Sequence, residues 1–258
     1  MKRKSQNIIN KFYSVSAVLL LLVVWQFVCS FSIVPEFMLP SPAKVVQAFI
    51  NDFGLLMSHS VTSLMEAGIG LALGVLIGFI AAVLMDHYDW LYKGLYPLIV
   101  LTQTIPTVAI APLLVLWLGY EMAPKVVLII IVTFFPIAVG VLNGFRSADK
   151  DTIHLLRSMG AGKVQIFWHV KFPSALGAFF SSLRISISYS IVGAVIAEWL
   201  GGTSGLGVYM TRVRKSFAFD KMFAVIFLIS FLSLLLMALV AVLQKKCMPW
   251  EQVKKEEE

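Results

Sequence analysis

The sequence is short of charge: Asp, Glu, Lys and Arg make up 14% of its 258 residues, against about 25% in an ordinary soluble domain. Too few ionic side chains are present to cover a water-facing surface, which excludes a soluble fold. Two cysteines are too few for a disulfide-stapled secreted scaffold. Four histidines stand nowhere at metal-ligand spacing with cysteine or carboxylate, so no metal site is expected. Hydrophobic residues fill the space, at 59% of the chain, and exclude disordered and collagen-like classes. At about 20 apolar residues per crossing helix, this content sets a ceiling of about seven spans. Nothing remains for a large extramembrane domain.

The apolar runs are continuous rather than alternating in barrel-strand segments, which predicts an all-helical membrane protein. Six spans are expected, at about 14–34, 60–85, 94–118, 124–145, 174–200 and 222–244, in one transmembrane domain covering 1–258. The first follows Lys2, Arg3, Lys4 and Lys11 as a signal peptide would, but its length and the proline-bearing 35–42 segment favour an uncleaved span. These cations place the N-terminus in the cytoplasm. Six spans return Lys245, Lys246, Lys254 and Lys255 to the same side, together with the segment bearing Arg146, Lys150, Arg157, Lys163 and Lys171. The formal charge of +7 is therefore mainly a topology signal, with Arg212, Arg214, Lys215 and Lys221 in an outer loop as its exception.

Cys29 falls near the outer end of span one and Cys247 beyond the inner end of span six. A bilayer core of about 30 Å separates them, so they cannot pair within one subunit. Ser41 and Pro42 are suited to cap and start a short helix whose apolar stripe is Val45, Val46, Phe49, Ile50 and Phe53. It is expected to lie on the outer membrane surface. The charged 254–258 tail is expected to be frayed.

The connection from Arg146 to Pro173 is far longer than two antiparallel spans require. Ile153, Leu155, Leu156, Met159, Val164, Ile166, Phe167 and Val170 recur in it at near-helical spacing, and Gly160-Ala161-Gly162 interrupts them. The pattern predicts a helix, a turn and a second helix. An apolar face held outside the membrane needs a groove on a cytoplasmic partner.

Gly160, nine residues, then Val170-Lys171-Phe172-Pro173 resembles the coupling segment of bacterial ATP-binding-cassette importer permeases: Glu-Ala-Ala, three residues, Gly, nine residues, Ile-x-Leu-Pro. His154, Leu155 and Leu156 stand at the Glu-Ala-Ala positions. Contacts of the missing acid do not carry over, whereas the roles of Gly160 and Pro173 do. Leu39-Pro40-Ser41-Pro42, Ile105-Pro106, Ala111-Pro112-Leu113, Trp117-Leu118-Gly119, Phe135-Pro136, Ala197-Glu198-Trp199-Leu200-Gly201 and Gly205-Leu206-Gly207 look like the nitrate, sulfonate, taurine and thiamine-precursor branch. Gln103-Thr104-Ile105-Pro106, Gly119-Tyr120 and Gly193-Ala194-Val195-Ile196-Ala197-Glu198-Trp199 look most like permeases for the hydroxymethylpyrimidine precursor of thiamine.

The resemblance implies a six-helix type I importer permease that is not itself an enzyme and carries no cofactor. ATP and Mg would sit on two copies of a separate ATPase. The chain would dimerise with itself or a close paralogue and receive solute from an extracytoplasmic binding protein, in the bacterial cytoplasmic membrane. His154, Leu155, Leu156, Arg157, Met159, Gly160, Ala161 and Pro173 would dock the ATPase and couple its closure to the membrane, while Trp199, Gly201, Gly205 and Gly207 would form an outer gate or binding-protein contact.

Polar residues inside spans supply candidates for the translocation path: Glu66, Thr102, Gln103, Thr104, Arg184, Ser186, Tyr189, Ser190 and Glu198. Each has an alternative. Glu66 heads a four-residue repeat with Gly70, Gly74, Gly78 and Ala82 that reads as a helix-packing face. Thr102, Gln103 and Thr104 could cap carbonyls freed by Pro106. Arg184 suits an inner gate or a structural ion pair, and is about 21 Å along a helix from Glu198. Gly160-Ala161-Gly162-Lys163 lacks the first glycine and the Ser or Thr of a phosphate loop. Gly202-Thr203-Ser204-Gly205 matches an intramembrane-protease motif, but all four histidines precede Ser204, which leaves no base on a later span. An ion-driven carrier would show repeated halves, and none is found.

Overall fold

The computed structural model describes residues 2–31 and 33–250, with backbone alone for 2–12, 14 and 15. The side chains of Lys2, Arg3, Lys4 and Lys11, used above for sidedness, and the 254–258 tail lie outside the described residues. All regular structure among the described residues is helical. In order the helices are α1 (Lys2–Ser30), α2 (Pro42–Asn51), α3 (Phe53–His87), α4 (Asp89–Thr102), α5 (Thr107–Leu118), α6 (Met122–Arg146), α7 (Lys150–Ser158), α8 (Lys163–Ile166), α9 (Phe172–Leu200), α10 (Leu206–Lys215) and α11 (Phe219–Cys247).

Among the described residues, four helical stretches are long and apolar enough to cross a bilayer: Phe53–His87, Met122–Arg146, Lys163–Leu200 and Phe219–Cys247. The first and third of the six expected spans are not among them. The third is not one helix but α4 and α5 meeting at 97°. Pro106 cannot donate a backbone hydrogen bond, and the hydroxyls of Thr102 and Thr104 bond back to the carbonyls of Ile99 at 2.7 Å and Leu101 at 2.8 Å. The first span ends earlier than the expected 34, because α1 stops at Ser30; its apolar part among the residues with described side chains is Ser16–Ser30. After it the chain turns back, so that the Trp25 indole donates to the Pro40 carbonyl at 3.1 Å.

The fifth span begins earlier than its expected start at 174. A π turn, Phe167–Lys171, joins α8 to α9. Pro173 occupies the first turn of α9. The ring of a proline crowds the carbonyl four residues back, and the wider π turn before it lets the helix continue.

The chain divides into two compact units. The first contains residues 1–58 and 209–228. Ser41 caps α2 by accepting from the Lys44 amide, and Pro42 opens the helix. Of the expected apolar stripe, Val45 and Phe49 turn inward with Ala48 and pack with Trp25, Phe223 and Ala224, whereas Val46, Ile50 and Phe53 stay exposed. Asp52 accepts from the Tyr209 hydroxyl at 2.7 Å and pairs with Lys221 Nζ at 2.8 Å. The segment expected as a loop bearing Arg212, Arg214, Lys215 and Lys221 is helical at both ends, in α10 and the start of α11, and Lys221 has a carboxylate partner distant in sequence.

The Lys221 ammonium, and then the Tyr209 hydroxyl, hold the Asp52 carboxyl below its ordinary value. Burial, and then Asp52, push the Tyr209 phenol up. A lowered carboxyl pKa contributes stability above the unfolded value of about 4 and loses it as pH falls through the folded value. The protection of the α2 amides against hydrogen exchange, taken relative to their intrinsic rate at each pH, is therefore expected to fall on acidification below about pH 4. Asp52→Asn should quicken exchange at neutral pH and flatten that dependence. Identical exchange profiles for the two proteins would refute the role of this cluster.

The second unit, residues 59–208 and 229–258, is built around α6. A side chain at Gly70 would lie 2.5 Å from Ile129, one at Gly74 would run into Thr133, and one at Gly78 would lie 2.9 Å from the Phe134 carbonyl. The glycine stripe therefore brings the α3 backbone against α6. On the other side, a Cβ at Gly144 would lie 2.7 Å from the Ala175 Cα, and Gly140 accommodates Ser182. Ile137, Ala138, Val141, Leu142 and Phe145 are buried between these two contacts.

Candidate functional site

Two features lie at opposite ends of α9, whose 29 residues span about 43 Å at 1.5 Å per residue. The first is the hairpin of α7 and α8. Asp149 caps α7 by accepting from the amides of Asp151 and Thr152 and from the Thr152 hydroxyl, bonds that hold its carboxyl below the usual range. Gly160 ends the helix in a Schellman motif: its amide donates to Arg157 O at 3.0 Å, and that of Ala161 to Leu156 O at 2.9 Å. The motif needs a left-handed residue, and Gly160 has φ +85°. The Gly162 amide donates to Gln165 Oε1 at 2.8 Å and starts α8.

The expected helix, turn and helix are present, and part of their apolar face has no cover among the described residues. Leu155, Met159 and Val164 are 62%, 74% and 71% exposed. A hollow of about 360 Å³ opens among Leu156, Met159, Gly160, Ala161, Gln165 and His169. Ile166 instead turns inward, and Phe167 packs against Phe145 at 5.3 Å between ring centroids. The Lys171–Asp86 ion pair, at 2.7 Å, ties the base of the hairpin to the end of α3. His154 and Arg157 are exposed.

The second feature is a buried polar latch at the far end of α9. Ser63 donates to Glu198 Oε1 at 2.6 Å while accepting from the Leu206 amide at 2.8 Å. Glu198 Oε2 accepts from the Gly207 amide at 2.5 Å, and His59 Nδ1 from the Gly205 amide at 2.9 Å. Three successive amides, those of Gly205 and of the first two residues of α10, thus bond to side chains of α3 and α9. Gly205, at φ +123° and with no room for a Cβ beside Glu198, makes the turn possible. Below this layer Lys125 pairs with Glu66 Oε1 at 2.5 Å, with only 6% and 2% of the two side chains exposed. Glu66 Oε2 has no hydrogen-bond partner among the described residues, and the Glu198 carboxyl group lies near that of Glu66.

The path candidates therefore fall into different environments. Glu66 and Glu198 belong to the latch, and Glu66 lies well inside α3, which starts at Phe53. Ser186 donates to Thr133 O at 3.2 Å and Ser190 to Ile187 O at 2.8 Å, both buried. Arg184 donates to Gln244 at 2.5 Å, an amide rather than the carboxylate of an ion pair. Thr102, Gln103 and Thr104 are exposed at the α4–α5 bend, and Tyr189 is exposed on α9. Of the gate candidates, Trp199 is exposed, Gly205 and Gly207 are buried in the latch, and Gly201 packs against Tyr120.

Lys125 was not among the residues that the sequence singled out, although a lone cation in the first turn of an apolar span must find a partner. His59, Ser63 and Glu66, four and three residues apart, form a polar stripe on one face of a helix. That spacing was a readable signal.

A family model described as the inner membrane component of binding-protein-dependent transport systems matches residues 74–248. The formylaminopyrimidine transport permease protein ThiX of Halalkalibacterium halodurans is 36% identical over 91% of this chain and 94% of its own. The riboflavin transport system permease protein RibX of Chloroflexus aurantiacus is 33% identical over 90% and 88%, and the Escherichia coli taurine permease TauC 29% over 92% and 89%. Among solved structures, a chain of the MetNI methionine ABC transporter in an inward-facing conformation shares the fold, with a TM-score of 0.65 over 76% of this chain and 97% of that one at 19% identity.

Proposed function

From the premise that the chain belongs to the inner membrane components of binding-protein-dependent transport systems, we propose that it imports a pyrimidine precursor of thiamine by alternating access. The observation that supports this substrate is the 36% identity, over nearly the full length of both chains, to a formylaminopyrimidine permease. Whatever the solute, the chain is a membrane-spanning, non-enzymatic subunit of an ATP-driven importer, working with ATPase subunits and a solute-binding protein.

In the proposed arrangement both termini and the α7–α8 hairpin face the cytoplasm, as the Lys and Arg of the 146–173 segment favour. Two copies of the chain form the pathway, and ATP with Mg binds on the two ATPase subunits. Each ATPase receives the exposed Leu155, Met159 and Val164 around the hollow at Gly160. Burying those side chains contributes about 1.5–3 kcal/mol apiece, enough to hold a helix pair in a groove. Closure of the ATPase dimer moves the hairpin, and α9 carries the motion toward the 201–207 loop, where the solute-binding protein docks. The accessible residues Thr102, Gln103, Thr104 and Tyr189 line the pathway, and Ser182 and Ser186 hold α9 against α6.

The test is uptake into vesicles containing the permease and its ATPase, with the solute-binding protein supplied outside. Labelled hydroxymethylpyrimidine or formylaminopyrimidine is expected to accumulate only with ATP and binding protein, and excess taurine or nitrate should not compete. Competition by taurine or nitrate alone would reassign the solute. Accumulation without nucleotide would replace the importer by an ion-driven carrier.

A further inference from the structure

The α7–α8 hairpin has a second hollow, lined differently from the first. About 220 Å³ in volume, it is walled by Asp86 and His87 at the end of α3, Arg157 and Lys163 on the hairpin, and Ile166, Phe167 and Lys171 beneath them. Asp86 is already neutralised by Lys171 at 2.7 Å. Arg157 and Lys163 form no ion pair with a described residue, so the hollow carries an excess of positive charge.

On the same side of α3 lies an almost wholly apolar groove of about 380 Å³, lined by Ala72, Leu76, Phe79, Phe172, Leu176 and Phe179 among others. The hollow and the groove adjoin. Phe172 of the groove follows Lys171 of the hollow in sequence, and its ring lies 6.3 Å from both Phe79 of the groove and Phe167 of the hollow. Along α3 the groove ends at Phe79 and the hollow begins at Asp86, about 10 Å further on at 1.5 Å per residue. An apolar slot within a membrane-crossing helix therefore opens, at that helix's end, onto unpaired cations.

We propose that this pair of cavities is a site for an anionic phospholipid, its phosphate held by Arg157 and Lys163 and an acyl chain lying in the Phe79–Phe172 groove. Only the placement of the hollow at the cytoplasmic surface rests on the orientation given above. Basic recesses between transmembrane helices at that surface suit anionic headgroups. An acidic side chain of the ATPase is the competing occupant for the cations. It would leave the groove empty, and the ATPase-facing hollow at Leu156, Met159 and Gln165 is separate. A lipid satisfies both parts of the site and joins the hairpin to the bilayer at the point where Lys171 and Asp86 already join it to α3.

The experiment is native mass spectrometry of the whole transporter released from mixed phosphatidylglycerol and phosphatidylethanolamine micelles. Wild type should retain phosphatidylglycerol selectively. Lys163→Glu, which removes the headgroup cation, and Ala72→Trp, which fills the exposed wall of the groove, should each lower that retention by about five-fold or more, the equivalent of about 1 kcal/mol per surface cation. Leu73→Trp, at the neighbouring exposed position outside the groove, should retain lipid as wild type does. Millimolar inorganic phosphate should compete weakly, since it has no acyl chain. Retention indifferent to both variants would overturn the proposal. Full displacement by phosphate with Ala72→Trp silent would reduce the site to one for a free anion. Loss of the ATPase from Lys163→Glu with lipid retention intact would give the cation to the partner protein. Retention is read without transport, so failure of the substrate assignment in the uptake assay does not bear on it.

Discussion

Replacing Gly160 with arginine is expected to abolish both co-purification of the ATPase and nucleotide-dependent uptake. Gly160 closes α7 at φ +85°, a conformation that costs an L-residue about 1–2 kcal/mol. No atom lies within 4 Å of where its Cβ would stand, so no clash adds to the strain inside the subunit. The larger effect comes from the partner's side. Position 160 lines the hollow offered for docking, and an arginine there would put an unpaired charge into an apolar interface, a burial that costs several kcal/mol. Gly160→Ala isolates the backbone component and should weaken association by about ten-fold, the equivalent of about 1.4 kcal/mol. Complex recovery from membranes and uptake rate are the two readouts. Wild-type values of both for Gly160→Arg would show that the hairpin is not the docking element.

The second large effect is expected at the latch. Lys125→Met leaves the Glu66 carboxylate almost fully buried with no cation, close to a second carboxyl group at Glu198. Removing one partner of a buried ion pair typically costs about 3–5 kcal/mol, whereas replacing both with apolar residues of similar size is near neutral. Lys125→Met should therefore lower the unfolding temperature of the purified subunit markedly, and Lys125→Met combined with Glu66→Leu should restore most of it. A double variant as unstable as the single one would show that Lys125 acts through packing alone.

Much of this organisation was legible in the sequence because it rests on local rules. The α7–α8 hairpin follows from near-helical spacing broken at Gly160, and the glycines of α3 follow from a four-residue repeat. The bend after Thr102 was visible as Pro106 but not its size, since a proline reports a missing hydrogen bond and not the 97° that neighbouring helices impose. The latch was legible only in parts. Glu66 and Glu198 stood out as charges in apolar spans, but the Ser63–Glu198 bond joins residues 135 apart in sequence, and the Glu66–Lys125 pair joins residues 59 apart. Such pairings follow from which helix faces meet, and periodicity does not encode that. The same limit hid the partner of Lys221, which is Asp52 across a sequence gap wider still.

The uninterrupted helix from Lys163 to Leu200 has a mechanical consequence. Its 38 residues extend about 57 Å at 1.5 Å per residue, and a rod of that length converts a small rotation into a large stroke: tilting by about 5° carries its far end about 5 Å, close to one helical pitch. Its stiffness is uneven, since the π turn at Phe167–Lys171 and Pro173 give it a compliant section near the hairpin, while the stretch beyond is clamped against α6 by small residues. Slack at the driven end with rigidity along the shaft is the arrangement of a universal joint. In the proposed docking, it would let the hairpin follow a rotating ATPase in several directions while passing on only the tilt that the clamped shaft permits.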